Sequence, residues 1–492
     1  MSNLNICELT IEGFHRALAC GEMTCETLMK AYIERIEAYD QKGPELNAII
    51  HMNANAIEEA RQMDDYYKTH GLKGSLHGVP VLLKDNVDTS DMPTTVGSLS
   101  LDGFIPETDA FIVDQMKAAG AIIIAKTNLH EFAIWGETIS SILGQTKNPY
   151  DLKRTPGGSS GGTGAAVAAN FGLIGIGTDT INSIRSPASA NNLVGIRPTI
   201  GLVSKAGVVP YSYTQDAIGP ITRTVADGVR FLEVLRGIDL RDEKTKHSEN
   251  QIIENLCDHL VEDGLTGKRI GILKSFFGSE AIHIQTNNAM TGAMEILNNG
   301  GATLIMLDEP IDAGKLVQEV SVHLHDFKDH LNDYLSKLPV GAPVHSVKEI
   351  MNSGRHHEGI RENLIKASKL STKTEAYQER LKRRADVQKQ VLALMDSLEL
   401  DALLYPHQKQ LVCMIGGSQN ERNGVLGSVT GFPAICVPAG FSVPTETAPI
   451  GVPVGMELLG RPFDEGTLIE IAYGYEIRAK TRKEPSSAPD LT

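Results

Sequence analysis

The chain has 492 residues, of which 41% are apolar and 22% are charged, as expected for a globular protein of one or two domains. Its formal net charge of −15 argues against a nucleic-acid partner, and no apolar run is long enough to cross a bilayer. The first residues, MSNLNICELT, lack the features of a signal peptide, and the six cysteines form no CxxC pair, so we expect a cytoplasmic protein with reduced thiols and no membrane partner.

The predicted elements alternate between helices and strands. Residues 1–70 have apolar positions at helical spacing, and we expect a helical segment that packs on the core. Short apolar runs then predict buried strands, with helical patterns between them, at residues 79–83, 121–125, 268–274, 302–307, 401–406, 434–440 and 452–460. This alternation predicts an α/β protein with a large mixed, mostly parallel β-sheet that is covered by helices on both faces.

Residues 71–480 are expected to form this α/β domain. Within it, residues 311–398 are charged and mostly helical, and we expect this region to shape a binding pocket. Residues 481–492 are polar and contain proline, which predicts a frayed C-terminal tail.

Glycines and hydroxyl side chains are concentrated in TPGGSSGGTG, residues 155–164, and GTDTINSIRSPAS, residues 177–189. A phosphate-binding P-loop needs GxxxxGK[ST], and no lysine follows these glycines. Residues 158–162 match the GxSxG pattern of an α/β-hydrolase, but the preceding NPYDLKRTP is polar where that turn requires a buried strand. The third alternative is a hydrolytic site made of two separated serines and a lysine.

GGSSGG, GTDT and SIRSPAS, together with LLKDN at residues 82–86, resemble the amidase signature family, which cleaves amide bonds with a Ser–cis-Ser–Lys triad. The strong resemblance covers residues 73–235, and a weaker one extends through the C-terminal strands. It implies that Lys84 is the triad lysine, Ser159 the bridging serine and Ser183, 24 positions later, the nucleophile. It also implies a cis peptide bond between Gly158 and Ser159 or at a neighbouring position, and a reaction without cofactor or metal.

The chemistry of these residue types agrees with that assignment. A serine hydroxyl needs a base to become a nucleophile, and no histidine lies between residues 149 and 212. A lysine amine can serve only when it is neutral, which burial promotes, and Lys84 ends an apolar run. Ser159 could then relay a proton between Lys84 and Ser183. The alternative for Lys84 is a structural pairing with a neighbouring acid such as Asp85.

Six polar residues are expected to support the site, and they are Ser160, Thr178, Asp179, Arg185, Gln215 and Asp216. Thr178, Asp179 and Thr180 should hold the nucleophile loop by side-chain-to-backbone hydrogen bonds. Arg185 can orient the loop or meet a substrate carboxylate, and we favour structural pairing with Asp179. The last two residues lie in SYTQDAIGP, which fits the family pattern, and should support the loop from behind.

The chain departs from the family pattern directly before the nucleophile. Many members carry two glycines there, whereas this chain has Ile181 and Asn182. The backbone N–H groups of Thr180, Ile181 and Asn182 are expected to form the oxyanion hole. A β-branched residue is strained at positive φ, so we predict a negative φ at Ile181 with its N–H toward the carbonyl oxygen. Isoleucine would narrow the acyl site, and Asn182 could add a side-chain donor.

The expected function is hydrolysis of a small-molecule or peptide amide to an acid and ammonia or an amine, and the C-terminal half resembles peptide-amidase-type members. Two alternatives stay open: a glutamine-hydrolysing amidotransferase subunit that passes ammonia to a partner, and an inactive member that only binds amides. A metal site is not expected, because the histidines of the charged helical region lack ligand spacing and should face solvent: His323, His325, His330, His356 and His357.

Overall fold

The computed structural model describes residues 6–248, 251 and 255–491, and these ranges contain one eleven-stranded sheet. Its strands are β1 (Ile49–Met52), β2 (Pro80–Lys84), β3 (Ile122–Thr127), β6 (Ile174–Asp179), β7 (Val194–Arg197), β8 (Ala217–Thr222), β9 (Arg269–Leu273), β10 (Thr303–Leu307), β11 (Ala402–Pro406), β12 (Ala434–Phe441) and β13 (Pro453–Leu459). A separate pair is formed by β4 (Ile139–Ser140) and β5 (Gly144–Gln145).

The order of strands across the sheet is β1-β3-β2-β6-β8-β7-β12-β13-β11-β9-β10. Pairing is parallel among β3, β2 and β6 and among β11, β9 and β10, and the other neighbours in this sheet are antiparallel. All seven apolar runs that predict strands lie in this sheet, which confirms the large mixed α/β architecture. Because β2 and β6 are parallel neighbours, their carboxyl ends bring Lys84 and Asp179 to one edge.

Helices occupy most of the connections between these strands. They are α1 (Ile11–Ala19), α2 (Cys25–Tyr39), α3 (Ala56–His70), α4 (Phe111–Ala118), α5 (Gly161–Ala168), α6 (Arg185–Ala190), α7 (Val225–Leu235), α8 (Ile284–Asn299), α9 (Ala313–Lys315), α10 (His323–Leu335), α11 (Val347–Ser353), α12 (Arg361–Ser368), α13 (Glu375–Ser397), α14 (Val425–Thr430) and α15 (Glu465–Ala479). In the described part of the chain, no helix is long and apolar enough to span a membrane.

The first seventy residues contain α1–α3 and also β1, which the helical pattern did not predict and which pairs with β3. Phe14 and Leu28, on the first two helices, belong to the same buried apolar cluster as Val81 on β2. Thr24 caps α2 by accepting a hydrogen bond from the Thr27 backbone N–H at 3.1 Å. The helical segment therefore packs on the sheet, and residues 1–5 lie outside the described ranges.

Residues 311–398 are mostly helical, as the sequence predicts, and contain α9–α13. Phe327 and Leu331 on α10 pack with Leu129 and Phe132 in a second apolar cluster. The expectation that the histidines of this region face solvent is wrong, because His325 is buried and the other four are half-buried. The reason is that α10 carries an apolar face and packs against the α/β domain.

The C-terminal tail is packed rather than frayed, so that prediction is wrong for residues 481–491. Arg482 donates to both carboxylate oxygens of Glu8, at 2.8 and 2.7 Å, and the Lys483 backbone N–H donates to Asn192 Oδ1 at 2.9 Å. Buried Arg35 donates to the Ala488 carbonyl oxygen at 2.7 Å. These hydrogen bonds to buried groups hold a polar segment that has little apolar content of its own. Residue 492 lies outside the described ranges.

Candidate active site

Lys84 is the last residue of β2, and its side chain is fully buried. Its Nζ lies 2.8 Å from Ser159 Oγ, 2.8 Å from Thr178 Oγ1 and 3.4 Å from the Thr178 carbonyl oxygen. Burial lowers the pKa of Lys84 to about 7, although the charges of Asp216 and Asp179 favour the protonated amine. Near neutral pH, a large fraction of this amine is therefore neutral and able to accept a proton.

The three oxygen contacts of Lys84 Nζ are compatible with both protonation states. An ammonium group donates to all three oxygens, whereas a neutral amine donates to the two Thr178 oxygens and accepts from the Ser159 hydroxyl. The alternative pairing with Asp85 is not found. That carboxylate instead accepts from the Thr95 backbone N–H at 3.1 Å and lies 4.0 Å from Lys126 Nζ.

The two serine loops lie side by side. The Gly158–Ser159 peptide bond is cis, as the family resemblance implies. The Ser160 backbone N–H donates to the Ser183 carbonyl oxygen at 3.3 Å, and Ser160 Oγ donates to the Thr178 carbonyl oxygen at 3.2 Å. Ser159 is fully buried, whereas Ser183, between β6 and α6, keeps 8% of its surface exposed. Of these three residues, Lys84 and Ser159 are thus fully enclosed, and Ser183 has a small exposed surface.

Glycine at the start of α5 allows close approach of three backbone segments. A Cβ atom on Gly162 would lie 2.2 Å from the Asn128 carbonyl oxygen and 2.8 Å from that of Ala48. The Gly162 backbone N–H donates to the same Asn128 oxygen at 3.1 Å. The small residues of this stretch therefore place the helix that follows Ser160 directly against the loop after β3.

We expect Gly162→Ala to lower the free energy of unfolding by about 1–3 kcal/mol, because the added methyl group overlaps backbone atoms that cannot swing away. Urea unfolding measures this. The matched control is Gly292→Ala on α8, where a Cβ atom would meet nothing within 4 Å. That change should be neutral or slightly stabilising, and equal effects of the two substitutions would contradict the packing argument.

Asp179 at the end of β6 anchors the nucleophile loop. Arg185 donates from Nε to Oδ2 and from Nη2 to Oδ1, each at 3.1 Å, and Arg197 Nη1 donates to Oδ1 at 2.8 Å. The Ile184 backbone N–H donates to Oδ2 at 3.1 Å. Burial would raise the pKa of Asp179, but the charges of Arg185 and Arg197 hold it well below its usual range.

The guanidinium of Arg185 is used for structure, as we favour from the sequence. Besides Asp179, it forms an ion pair with Glu457 and donates to the Ile181 carbonyl oxygen at 2.8 Å. Ser428 Oγ donates to that same carbonyl oxygen at 2.8 Å. The guanidinium is fully buried, so this geometry argues against a role in binding a substrate carboxylate.

The residues before the nucleophile adopt the predicted backbone region. Ile181 does not have a positive φ, in agreement with the prediction. Its side chain packs against a buried cluster that includes Tyr405 and Val425. Asn182 is buried, and its Oδ1 has no hydrogen-bond partner among the described residues. The direction of the Ile181 N–H toward a bound carbonyl stays a prediction.

Thr180 is held from behind by the two residues that the sequence places there. Its Oγ1 donates to Asp216 Oδ1 at 2.6 Å, and its carbonyl oxygen accepts from Gln215 Nε2 at 3.4 Å. Gln215 Oε1 in turn accepts from the Val322 backbone N–H at 2.6 Å, which connects the loop to the start of α10. These contacts tie the helical region to the nucleophile loop.

The predicted side-chain-to-backbone bonds occur at Asp179 and not at its two threonine neighbours. Thr178 Oγ1 accepts from Lys84 Nζ at 2.8 Å and from Asn86 Nδ2 at 3.1 Å, while Thr180 donates to a carboxylate. That part of the prediction is wrong for Thr178 and Thr180. The ionisable side chains of Lys84 and Asp216 form stronger hydrogen bonds than a backbone amide does, and the edge of the sheet places them within hydrogen-bond distance of these threonines.

Sequence reasoning missed two groups that stabilise the site. Thr138 Oγ1 donates to the Gly157 carbonyl oxygen at 2.7 Å, and no pattern in the sequence marks it. Glu457 accepts from Tyr405 OH at 2.9 Å and interacts with His407 Nδ1 at 2.8 Å. A carboxylate inside the apolar run of β13 was a usable signal for a buried ionic network. His407 is buried against this carboxylate.

Comparisons with known proteins identify the family of this chain. The family model described as Amidase matches residues 27–469. The solved structure of a peptide amidase from Stenotrophomonas maltophilia has a TM-score of 0.89 and 32% identity, covering 99% of this chain and 100% of that chain. A probable amidase of Arabidopsis thaliana is 34% identical over 501 residues, which cover 98% of this chain and 92% of the relative. A glutamyl-tRNA(Gln) amidotransferase subunit of Alkaliphilus metalliredigens is 33% identical over 505 residues, 98% of each protein. The chain belongs to the Amidase family, as its serine loops and buried lysine indicate.

Proposed function

We propose that this protein hydrolyses a carboxylic or peptide amide through an acyl-enzyme on Ser183. The observation that carries the proposal is the 2.8 Å contact between buried Lys84 Nζ and Ser159 Oγ, beside the loop of Ser183. Membership of the Amidase family and the likeness to a peptide amidase structure support amide hydrolysis. The triad assignment is our own inference from the site geometry and the sequence pattern.

In the first half of the reaction, Ser183 Oγ attacks the amide carbonyl carbon. Its proton passes to Ser159 Oγ while the Ser159 proton passes to the neutral amine of Lys84. The tetrahedral intermediate then expels the amine, which receives the proton back from Lys84 through Ser159. An ester between the acyl group and Ser183 remains.

In the second half, a water molecule attacks this ester by the same proton relay and releases the acid. One amide and one water thus give one carboxylic acid and one amine or ammonia. The oxyanion of each tetrahedral intermediate would be bound by backbone N–H groups of Thr180, Ile181 and Asn182. The bonds of Asp179 and Asp216 to this segment support a preorganised loop.

The apolar side chain of Ile181 favours a substrate with a small or apolar acyl group. It directly precedes Asn182 and the nucleophile, and it is half-buried against an apolar cluster. A bulky or charged acyl group would have to displace this side chain or remain unsolvated beside it. The tests below therefore include short aliphatic and aromatic amides.

The pH dependence of kcat/KM should follow the ionisation of Lys84. Its pKa is lowered to about 7, and only the neutral amine accepts a proton, so activity should fall about tenfold per pH unit below that value and level off above it. Initial rates between acid and mildly alkaline pH measure the profile. A profile that stays flat through neutral pH would contradict the role of Lys84 as base.

Ammonia release from a panel of amides tests the proposed activity directly. The panel contains short aliphatic amides, aromatic amides, glutamine and C-terminal peptide amides. Ser183→Ala is expected to lower kcat by at least about 10⁴-fold, because the acyl acceptor is lost. Turnover that survives in this variant would overturn the proposal, and the preferred amide would identify the substrate class.

A second candidate is a glutamine-hydrolysing component of an amidotransferase. It is favoured by the 33% identity to a glutamyl-tRNA(Gln) amidotransferase subunit over nearly the whole chain. Glutamine turnover that appears only with a synthetase-like partner would support it. An inactive, amide-binding member is the remaining alternative, and it would bind amides equally well with Ser183→Ala.

A further inference from the structure

A cavity of about 520 Å³ lies apart from the proposed triad, none of whose residues line it. Its wall is formed by residues from segments 104–109, 205–208, 241–244 and 333–339. The cavity therefore lies between the core of the α/β domain and the C-terminal part of α10. Of the lysines on this wall, Lys205 is buried and Lys244 is partly buried.

Lys205 is the deeper of these lysines, with 6% of its surface exposed. Its Nζ is buried and has no hydrogen-bond partner among the described residues, and the Asp242 carboxylate oxygen is 3.5 Å away. A protonated lysine carries three donors, and buried donors in folded proteins are nearly always satisfied. Lys205 thus has an ion-pair partner but no hydrogen-bond acceptor among the described residues.

Lys244 lies on the same wall and is partly buried. Its Nζ donates to the Tyr213 carbonyl oxygen at 2.7 Å, which leaves two donors free for another acceptor. Burial lowers the pKa of Lys244 to about 8; the charges of Lys205 and Arg384 act in the same direction, and those of Asp242 and Asp326 oppose them.

Most acidic groups around the cavity already have partners. Asp333 pairs with Lys337 at 2.7 Å, and Asp109 pairs with Lys117 at 2.7 Å. Asp242 accepts from the backbone N–H groups of residues 205 and 244, at 3.0 and 3.2 Å, which orients it as a structural cap. Asp242 also forms the ion pair with Lys205 Nζ at 3.5 Å, whereas Lys244 has no carboxylate ion-pair partner among the described residues.

The remaining charged groups of the wall are one carboxyl group that is partly protonated near neutral pH and three exposed side chains. Asp88 accepts from Tyr334 OH at 2.9 Å, and burial raises the pKa of this carboxyl to about 7. Glu107, Glu243 and Arg241 are not buried, and the arginine pairs with Asp239 at 3.1 Å. The wall thus combines the Lys205–Asp242 ion pair and the partly buried Lys244 with a weakly charged carboxyl group.

We propose that this cavity binds a small organic anion, whose carboxylate or phosphate group accepts hydrogen bonds from Lys205 and Lys244. Apolar side chains of Phe104, Val208 and Leu338 on the same wall would contact the hydrocarbon part of the ligand. The site is separate from Ser183, so its occupation does not require turnover.

Ligand-observed NMR with butyrate and with inorganic phosphate tests this site on the full chain. Wild type is expected to bind one of the two saturably, and Lys244→Met should weaken that binding at least tenfold. The matched control is Lys337→Met, at the same cavity but paired with Asp333, which should change the affinity less than twofold. Ser183→Ala should bind as wild type does.

Each outcome decides for or against the site. Binding of butyrate alone identifies a carboxylate ligand, and binding of phosphate alone identifies a phosphate ligand. Lys244→Arg should restore binding, and circular dichroism confirms that each variant is folded, with Lys244→Gln as the replacement if Lys244→Met unfolds. Absence of saturable binding at tens of millimolar, or equal binding by wild type and folded Lys244→Met, would overturn the proposal.

Discussion

Lys84→Met is expected to lower kcat/KM for the preferred amide by about 10²–10⁴-fold, the contribution of a positioned proton-transfer group. Methionine keeps most of the volume of the lysine stem but removes the amine 2.8 Å from Ser159 Oγ. The fold should not suffer, because an apolar side chain replaces a fully buried amine. Initial rates and thermal unfolding of the same preparations measure these two effects.

Lys84→Arg separates basicity from positive charge. Arginine stays protonated at all accessible pH values, so this variant should be as inactive as Lys84→Met. Lys366→Met, at an exposed ion pair with Glu362 on α12, is the surface control and should retain wild-type rates. A folded Lys84→Met enzyme with more than a tenth of wild-type activity would contradict the assignment of Lys84 as base.

Asp179→Asn is expected to lower the free energy of unfolding by about 3–5 kcal/mol, the cost of leaving buried charge without its counter-charge. The side chains are nearly isosteric, but the amide removes the charge that Arg185 and Arg197 face. Because the Ile184 backbone N–H bonds to this carboxylate, the nucleophile loop should lose order and activity as well. Urea unfolding and initial rates at the same temperature test both expectations.

The difference in unfolding free energy between wild type and Asp179→Asn should depend on pH in a defined direction. The pKa of Asp179 in the folded protein is well below its value in the unfolded chain, so its contribution to stability is complete above the unfolded pKa. The difference between wild type and Asp179→Asn should therefore be constant from about pH 5 to 8 and shrink only below about pH 4. The control is Glu362→Gln, which removes an exposed ion pair and should leave the unfolding curve unchanged. An equal loss of unfolding free energy in both variants would contradict the stabilising role of the buried ionic network.

Much of the fold was predictable because most of its strands are buried on both faces and appear as continuous apolar runs. The strands β6, β7 and β8 were not predicted, since glycine interrupts LIGIGTD, LVGIR and AIGPIT. Gly175 on β6 shows the physical reason: a Cβ atom there would lie 2.5 Å from Thr163 Cγ2 on α5. Because α5 packs closely on the sheet, this strand has glycine where a larger apolar side chain would otherwise indicate a strand in the sequence.

The proposed catalytic residues Lys84, Ser159 and Ser183 came from the resemblance of short motifs to the amidase signature family, whereas their long-range supports were not predicted. By contrast, Arg185 and Glu457 are 272 positions apart and meet only through the sheet order that places β13 near α6. No periodicity in a single sequence encodes such a contact, although a charged residue in an apolar strand indicates that a partner must exist.

The most direct test is acid-quenched mass spectrometry of the wild-type enzyme during turnover of its preferred amide. We predict that the peptide containing Ser183 gains the mass of the acyl group, that Ser183→Ala shows no such adduct, and that Lys84→Met forms it far more slowly. Turnover without a covalent adduct on this peptide, or an adduct on a different residue, would contradict a Ser183 acyl-enzyme.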